Sequence, residues 1–286
     1  MDLCDRNDIQ ALLARHGFRF AKALGQNFLI EGWVAEDIAA ASGADADTGV
    51  VEVGPGIGSL TTQLARRAGK VVSVELDRRL YPVLAETMAE HPNFTLVEGD
   101  AMQLSLPALV QEHLSGLRPV LCANLPYNIT TPFLTACVES HCFDSLTVLI
   151  QKEVAQRICA APGTADYGAF TLLMQYYTQP ELLFEVPADC FLPAPKVTSA
   201  VIRCPVRPAP PVEVRDTALF WRTVRSGFAL RRKTLVNSLQ TGFSLPKEEL
   251  AAIVTACGLD PAIRGERLGL AEYARLADAL YAAMNS

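Results

Sequence analysis

The chain has 286 residues, half of them hydrophobic, with 25 basic and 31 acidic side chains and a net charge of −6. That length suits one large domain or a domain with a smaller companion. No apolar run is long enough to span a bilayer, and the polar, acidic start MDLCDRNDIQ is not that of a signal peptide. An acidic whole-chain charge argues mildly against a nucleic-acid binder, although an average can hide a local basic patch.

Eight cysteines include no Cys-x-x-Cys pair, and most sit in apolar surroundings. They read as reduced core residues, so neither a metal nor a disulfide is expected, and a reducing cytoplasm is the expected compartment.

In chain order, VVEVG (50–54) reads as a short strand running into a glycine turn, and SLTTQLARRA (59–68) has helical spacing. VVSVEL (71–76) is a second strand. RRLYPVLAETMAE (78–90) reads as a helix with Pro82 in its first turn, where proline is tolerated. FTLVEGD (94–100) and PVLCAN (119–124) are further strands. TPFLTACVE (131–139) is a helix opening on a Thr cap and a Pro, and SLTVLIQ (145–151) is a fifth strand. Strands alternating with helices predict an α/β fold with a mixed, mostly parallel, doubly wound sheet. PELLFEVP (180–187) and VTSAVIR (197–203) then read as a hairpin at one sheet edge. CPVRPAPPVEV (204–214), with four prolines, reads as a linker. From 216 onward the period is helical: DTALFWRTVRSGF, KTLVNSL, PKEELAAIVTACG and LAEYARLADALYAAM. The expected domains are 1–206 and a small all-α domain at 207–286.

Gly54-Pro55-Gly56-Ile57-Gly58 comes after the first strand and opens a helix. Such a turn lets backbone approach a ligand at the positive end of a helix, although alone it is also an ordinary tight turn. Glu75 ends the second strand, where a carboxylate can accept from both hydroxyls of a ribose. Asp100 ends the third, where it can accept from an adenine amino group or simply cap the next turn. Together these three point into the crevice where open α/β sheets bind ligands, and they predict a nucleoside-type cofactor. NAD and S-adenosylmethionine are the candidates. The Gly-x-Gly-x-Gly spacing departs from the dinucleotide fingerprint and no second mononucleotide half is present, so methyl transfer fits better.

Asn124-Leu125-Pro126-Tyr127-Asn128 comes straight off the fourth strand. An exocyclic adenine amine is a poor nucleophile because its lone pair is delocalised into the ring. Carbonyl acceptors that hold its hydrogens aim the lone pair at an electrophilic methyl group. The Asn124 side-chain oxygen is one such acceptor. The Leu125 carbonyl is a second, restrained by Pro126, and Tyr127 offers a stacking face worth about 1–3 kcal/mol per base. A neutral amide costs less to desolvate than a carboxylate. A base in a folded strand or helix must be extruded to reach such a pocket. Phe191, in FLPAPKV, is the expected opposing plate, or else a hydrophobic plug. Asn128 is assigned to turn structure.

The set KALGQNFL (22–29), VEVGPGIGSLT (51–61), VELD (74–77), EGDAM (98–102), NLPYNITTP (124–132), FLPAPKVTSAV (191–201) and RRKTLVNSL (231–239) resembles the ribosomal RNA adenine dimethyltransferases, and its small-subunit branch in particular. The ordered match extends into RGERLGLAEYARLADAL (264–280). The glycine loop is shared by many methyltransferases, whereas GQNFL, NLPYN and RRKTL in this order are specific. The resemblance implies a Rossmann-like methyltransferase domain, a helical C-terminal domain and S-adenosylmethionine as donor. It implies cofactor contacts from Asn27, Leu29, Gly54, Glu75, Asp100 and Asn124, with Gly56, Leu76 and Ala101 beside them. It also implies conversion of two neighbouring adenosines near the 3′ end of 16S rRNA to N6,N6-dimethyladenosine, and a role in ribosome assembly. A monomer acting on a 30S-like particle is expected.

Arg222, Arg225, Arg231, Arg232 and Lys233 fall within twelve residues that contain no acid. They read as an RNA-phosphate patch, or as a solvated helix face. Three rivals stand beside the main reading: a large-subunit adenine methyltransferase of the antibiotic-resistance type, an assembly factor that no longer methylates, and a DNA adenine methyltransferase.

Overall fold

A computed structural model describes residues 1–20 and 26–285, so Lys22 and the start of KALGQNFL lie outside the described residues. The chain forms two compact units. Met1–Ala155 and Thr178–Val206 make the first, and Gln156–Tyr177 with Arg207 onward make the second.

The first unit begins with helix α1 (Arg6–Arg15), strand β1 (Phe28–Leu29) and helix α2 (Gly32–Ala41). Asp5 caps α1 by accepting from the Asn7 and Asp8 N–H groups. Then β2 (Thr48–Val53), α3 (Ser59–Ala65), β3 (Lys70–Glu75), α4 (Tyr81–Thr87), β4 (Phe94–Glu98), α5 (Leu106–His113), β5 (Arg118–Asn124), α6 (Thr130–Ser140) and β6 (Ser145–Gln151) alternate as expected. Pro82 lies in the first turn of α4. The expected Thr131 cap of α6 is not formed: the helix starts one residue earlier, at Thr130, with Ile129 in the cap position, and Thr130 Oγ1 donates back to the Pro126 carbonyl at 3.2 Å.

Strands β7 (Glu181–Val186), β8 (Phe191–Leu192) and β9 (Ser199–Pro205) complete the unit. The seven-stranded sheet runs β4-β3-β2-β5-β6-β9-β7. Its first five strands are parallel, and β9 is antiparallel to both β6 and β7, so the edge hairpin forms as read. All six residues of β2 are buried, so its sequence shows no alternation, and the buried Glu52 is held by Ser73 on β3. The strand order reverses between β2 and β5, and a crevice opens at their carboxyl ends. A separate two-stranded pairing, Phe28 with Leu192 and Leu29 with Phe191, joins the N-terminal arm to the loop before β9.

The chain passes into the second unit at the expected 206/207 division, and that unit also takes in Gln156–Tyr177, which the sequence reading assigns to the first domain. Helix α7 (Lys152–Ile158) straddles the start of that segment, and α8 (Ala169–Tyr177) belongs wholly to the helical unit. The cause is apolar burial: Tyr167, Leu172 and Tyr176 share a core with Phe220, Leu276 and Tyr273. The proline-rich linker also starts later than read, because β9 runs to Pro205. The expected C-terminal helices are present as α9 (Thr217–Ala229), α10 (Leu235–Leu239), α11 (Lys247–Ala256) and α12 (Leu270–Met284). Asp216 caps α9 by accepting from the Leu219 N–H at 2.8 Å. No helix among the described residues is long and apolar enough to cross a membrane.

Candidate active site

Gly54, Gly56 and Gly58 all adopt positive φ, at 70°, 61° and 94°, which turns the chain sharply from β2 into α3. Gly56 has a second reason to lack a side chain: a Cβ there would stand 2.9 Å from Cδ1 of Phe28. The ring of Phe28 therefore lies directly on the glycine turn.

Glu75 closes β3 beside this turn. Its Oε1 accepts from the Asp77 N–H at 2.8 Å and its Oε2 from the Gly56 N–H at 3.4 Å. The residue is 6% exposed. Burial pushes its carboxyl up to about 7, against the pull of the amide N–H bonds. Asp100 lies just past β4, and its Oδ1 accepts from the Met102 N–H at 2.9 Å. The capping role is thus real, and the residue also lines the cleft. Leu76, an apolar side chain left 52% exposed, presents a surface that a flat ring could cover.

Asn124 is the last residue of β5. Its Nδ2 donates to the Asn27 carbonyl at 3.3 Å, so the amide is oriented by the N-terminal arm, with Oδ1 as its remaining acceptor. The next peptide is pinned because the Leu125 N–H donates to the Leu149 carbonyl at 3.1 Å. The Pro126 carbonyl is already engaged by the Ile129 N–H and Thr130 Oγ1. That leaves the Leu125 carbonyl as the better placed of the two for an incoming amine. The Tyr127 hydroxyl is hydrogen-bonded to Ser199 Oγ at 2.6 Å, which ties the ring to β9. Asn128 lies exposed in the turn.

One cleft of about 230 Å³ brings most of these residues together. That is far more than the ~30 Å³ share of a single water. Asn27, Gly54, Gly56, Glu75 and Leu76 line one part of it, and Asp100, Ala101 and Asn124 through Asn128 line the rest. Leu29 stands apart, lining a cavity of about 30 Å³ next to Glu52, Gly54 and Asn124. Phe191 is corrected. It is 1% exposed, strand-paired with Leu29 and packed in the core of the first unit, so it offers no face to the cleft.

In the second unit, the basic residues divide. Arg222 donates to the Gly242 carbonyl at 2.8 Å and lies over the Phe243 ring at 4.7 Å. Arg231 bonds the Ala165 carbonyl and pairs with Glu266 at 3.5 Å. Arg225, Arg232 and Lys233 are exposed and form no ion pair among the described residues. Sequence reading missed Phe28, Asp77, Gln26 and Ser199. QNFL and VELD had marked the first three only as motif letters, and nothing local marks Ser199 as the anchor of Tyr127.

The family described as "Ribosomal RNA adenine dimethylase" matches residues 17–280. The ribosomal RNA small subunit methyltransferase A of Geobacillus thermodenitrificans is 44% identical over 286 residues, covering 98% of this chain and 97% of that protein. Its namesake from Shouchella clausii is 44% identical over 279 residues, covering 96% and 94%. Among solved structures, the 23S rRNA methyltransferase ErmE is similar at 27% identity and a TM-score of 0.69, over 89% of this chain and all of that one. A dimethyladenosine transferase from Plasmodium falciparum shares the fold at 22% identity and a TM-score of 0.71, over 85% of this chain and 94% of that one. The family match covers residues 17–280, a span that includes both the glycine turn and the Asn-Leu-Pro-Tyr turn, and with near full-length relatives at 44% identity it leads to one conclusion: the chain belongs to the ribosomal RNA adenine dimethylase family.

Proposed function

We propose that the protein transfers methyl groups from S-adenosylmethionine to the exocyclic amines of two adjacent adenosines near the 3′ end of 16S rRNA, giving N6,N6-dimethyladenosine. It acts as a cytoplasmic monomer on a 30S-like particle and serves in ribosome assembly. One observation carries the reading: the Asn124–Tyr127 turn and the Glu75–glycine turn face the same cleft.

The residues present fit the donor. A glycine turn that tolerates no side chain, a buried carboxylate for a ribose, the exposed Leu76 for a base and Asp100 for an adenine amino group are complementary to an adenosine. S-adenosylmethionine would supply an electrophilic methyl group on a sulfonium. Asn124 Oδ1 and the Leu125 carbonyl take the hydrogens of the target amine, and Tyr127 stacks on its ring. These fixed dipoles meet the positive charge that develops on nitrogen. No side-chain base is needed, because the methylated ammonium is acidic and loses its proton to water. Once the amine carries one methyl group it has a single hydrogen left, and one of the two carbonyls then suffices.

Mass mapping of methylated adenosines after reaction with unmethylated small subunits tests this, with two adjacent dimethyladenosines expected. The likeness to ErmE gives a large-subunit adenosine as the second reading. Primer extension on both RNAs separates the two.

A further inference from the structure

Asp77 lies two residues past Glu75, outside the cleft, and its side chain is 6% exposed. Its Oδ1 accepts from Arg79 Nε at 2.8 Å, and its Oδ2 accepts from Arg79 Nη2 at 2.6 Å and from Gln26 Nε2 at 2.7 Å. Arg79 Nη1 in turn donates to the Arg19 carbonyl at 3.0 Å, and its guanidinium lies over the Phe18 ring at 5.2 Å. One fork-to-carboxylate pair thus grips the N-terminal arm at Phe18–Arg19 and again at Gln26. The Asp77 carboxylate is buried while Arg79 is 47% exposed, and two-point charge-assisted bonds of this kind are stronger than neutral ones.

Immediately after Gln26 the arm reaches the chemistry. The Asn27 carbonyl receives the Asn124 amide, Phe28 covers Gly56, and Leu29 pairs with Phe191. An asparagine amide has two faces. Turned by half a rotation, Asn124 would offer N–H donors where the target amine needs an acceptor. Among the described residues the Asn27 carbonyl is the acceptor that selects the useful orientation, and the adjacent Gln26 is held by Asp77.

We infer that Asp77, Arg79 and Gln26 are positioning residues: a latch that seats the N-terminal arm so that the Asn27 carbonyl holds Asn124 Oδ1 toward the amine. The inference rests on the role proposed above for Asn124. The latch bears most directly on the rate of transfer, through Asn124; Glu75 and Asp100 are carried on β3 and beyond β4, whereas Asn27, which also lines the cleft, is carried on the arm, so cofactor affinity changes less than the rate.

The test measures kcat for transfer of labelled methyl groups to unmethylated small subunits, the Kd of S-adenosylmethionine by calorimetry, and thermal melting. Gln26→Leu and Asp77→Asn are each expected to lower kcat at least about tenfold, since small misplacements of reacting groups carry costs of this size. The fall in kcat should exceed any weakening of Kd, and Gln26→Leu should melt close to wild type, whereas Asp77→Asn also weakens a charged pair and melts somewhat lower. Gln26→Glu alone sets two carboxylates together and should be as impaired. Combined with Asp77→Asn it restores the contact at residue 26 with the roles exchanged, while Arg79 keeps only its Nε bond to the remaining oxygen, so kcat should recover in part, by at least about threefold over either single variant. Unchanged kcat in the single variants, losses that the double variant does not recover, or losses confined to Kd would each overturn the latch. Wild-type protein that transfers no methyl group would overturn the functional reading and the latch with it. Normal wild-type transfer beside unaffected variants overturns the latch alone.

Discussion

Glu75 makes cofactor binding depend on pH, with a sign set by its burial. Its carboxyl is pushed up to about 7 because little water reaches it. Ribose hydroxyls donate to the ionised carboxylate, so binding must draw off the proton wherever the free site is protonated. With a pKa of about 7, about one tenth of the sites are ionised at about pH 6 and about nine tenths at about pH 8. The Kd for S-adenosylmethionine should therefore tighten about tenfold over that interval, or about 1.4 kcal/mol. Titration calorimetry in two buffers of different ionisation heat reads both the affinity and the proton released. The cofactor has its own amino group, which titrates near about 8 and contributes equally to wild type and variant. Glu75→Gln is accordingly the control, expected to bind more weakly at the upper pH and to lose the Glu75 component of the profile. Wild type and Glu75→Gln sharing one pH profile would refute the assignment of Glu75 to the ribose.

Asn124→Ala removes both the acceptor and the bond to Asn27, and kcat should fall about 100-fold or more in single-turnover transfer. Survival of the normal rate would show that the amide does not hold the amine. Tyr127→Phe keeps the stacking face but leaves the buried Ser199 hydroxyl without its 2.6 Å partner, so denaturant unfolding should show a loss of about 1 kcal/mol with base binding largely kept. Arg232→Ala with Lys233→Ala removes two exposed charges that brace nothing in the described residues. RNA-particle binding should weaken, its log–log salt slope should fall by about 2, and melting should not change. Unchanged particle affinity would place the RNA elsewhere. Glu52 is 1% exposed, and burial pushes its carboxyl up to about 7 despite a 2.6 Å bond from Ser73 Oγ. A raised carboxyl favours the folded state fully only below its unfolded value of 4.5, and that stabilisation is lost as pH rises through about 7, a fall of about 3 kcal/mol. Glu52→Gln should flatten this part of the pH–stability curve in chemical denaturation, and parallel curves would contradict it.

Local signals settled a great deal of this protein. The apolar strands, glycine turn, Pro82 and the long helical periods at 216–284 each carry their structure within a few residues, and the helices and strands formed close to where they were read. The cleft-facing ends of β2, β3 and β5 were legible for the same reason: a parallel, doubly wound sheet must bring those ends together, so Gly54, Glu75 and Asn124 meet as soon as the fold class is known. Partnerships between distant segments were not legible. Phe191 has the composition of a stacking plate, but its pairing with Leu29 turns it into the core. Residues 156–177 carry no boundary signal, yet Tyr167 and Tyr176 bury themselves with the helical unit. Arg222 and Arg231 read as free charge beside Arg232, and only the Gly242 carbonyl and Glu266 make them structural. A side chain's role depends on its facing partner, and that partner is chosen by contacts that lie from 20 to 162 residues away in the chain.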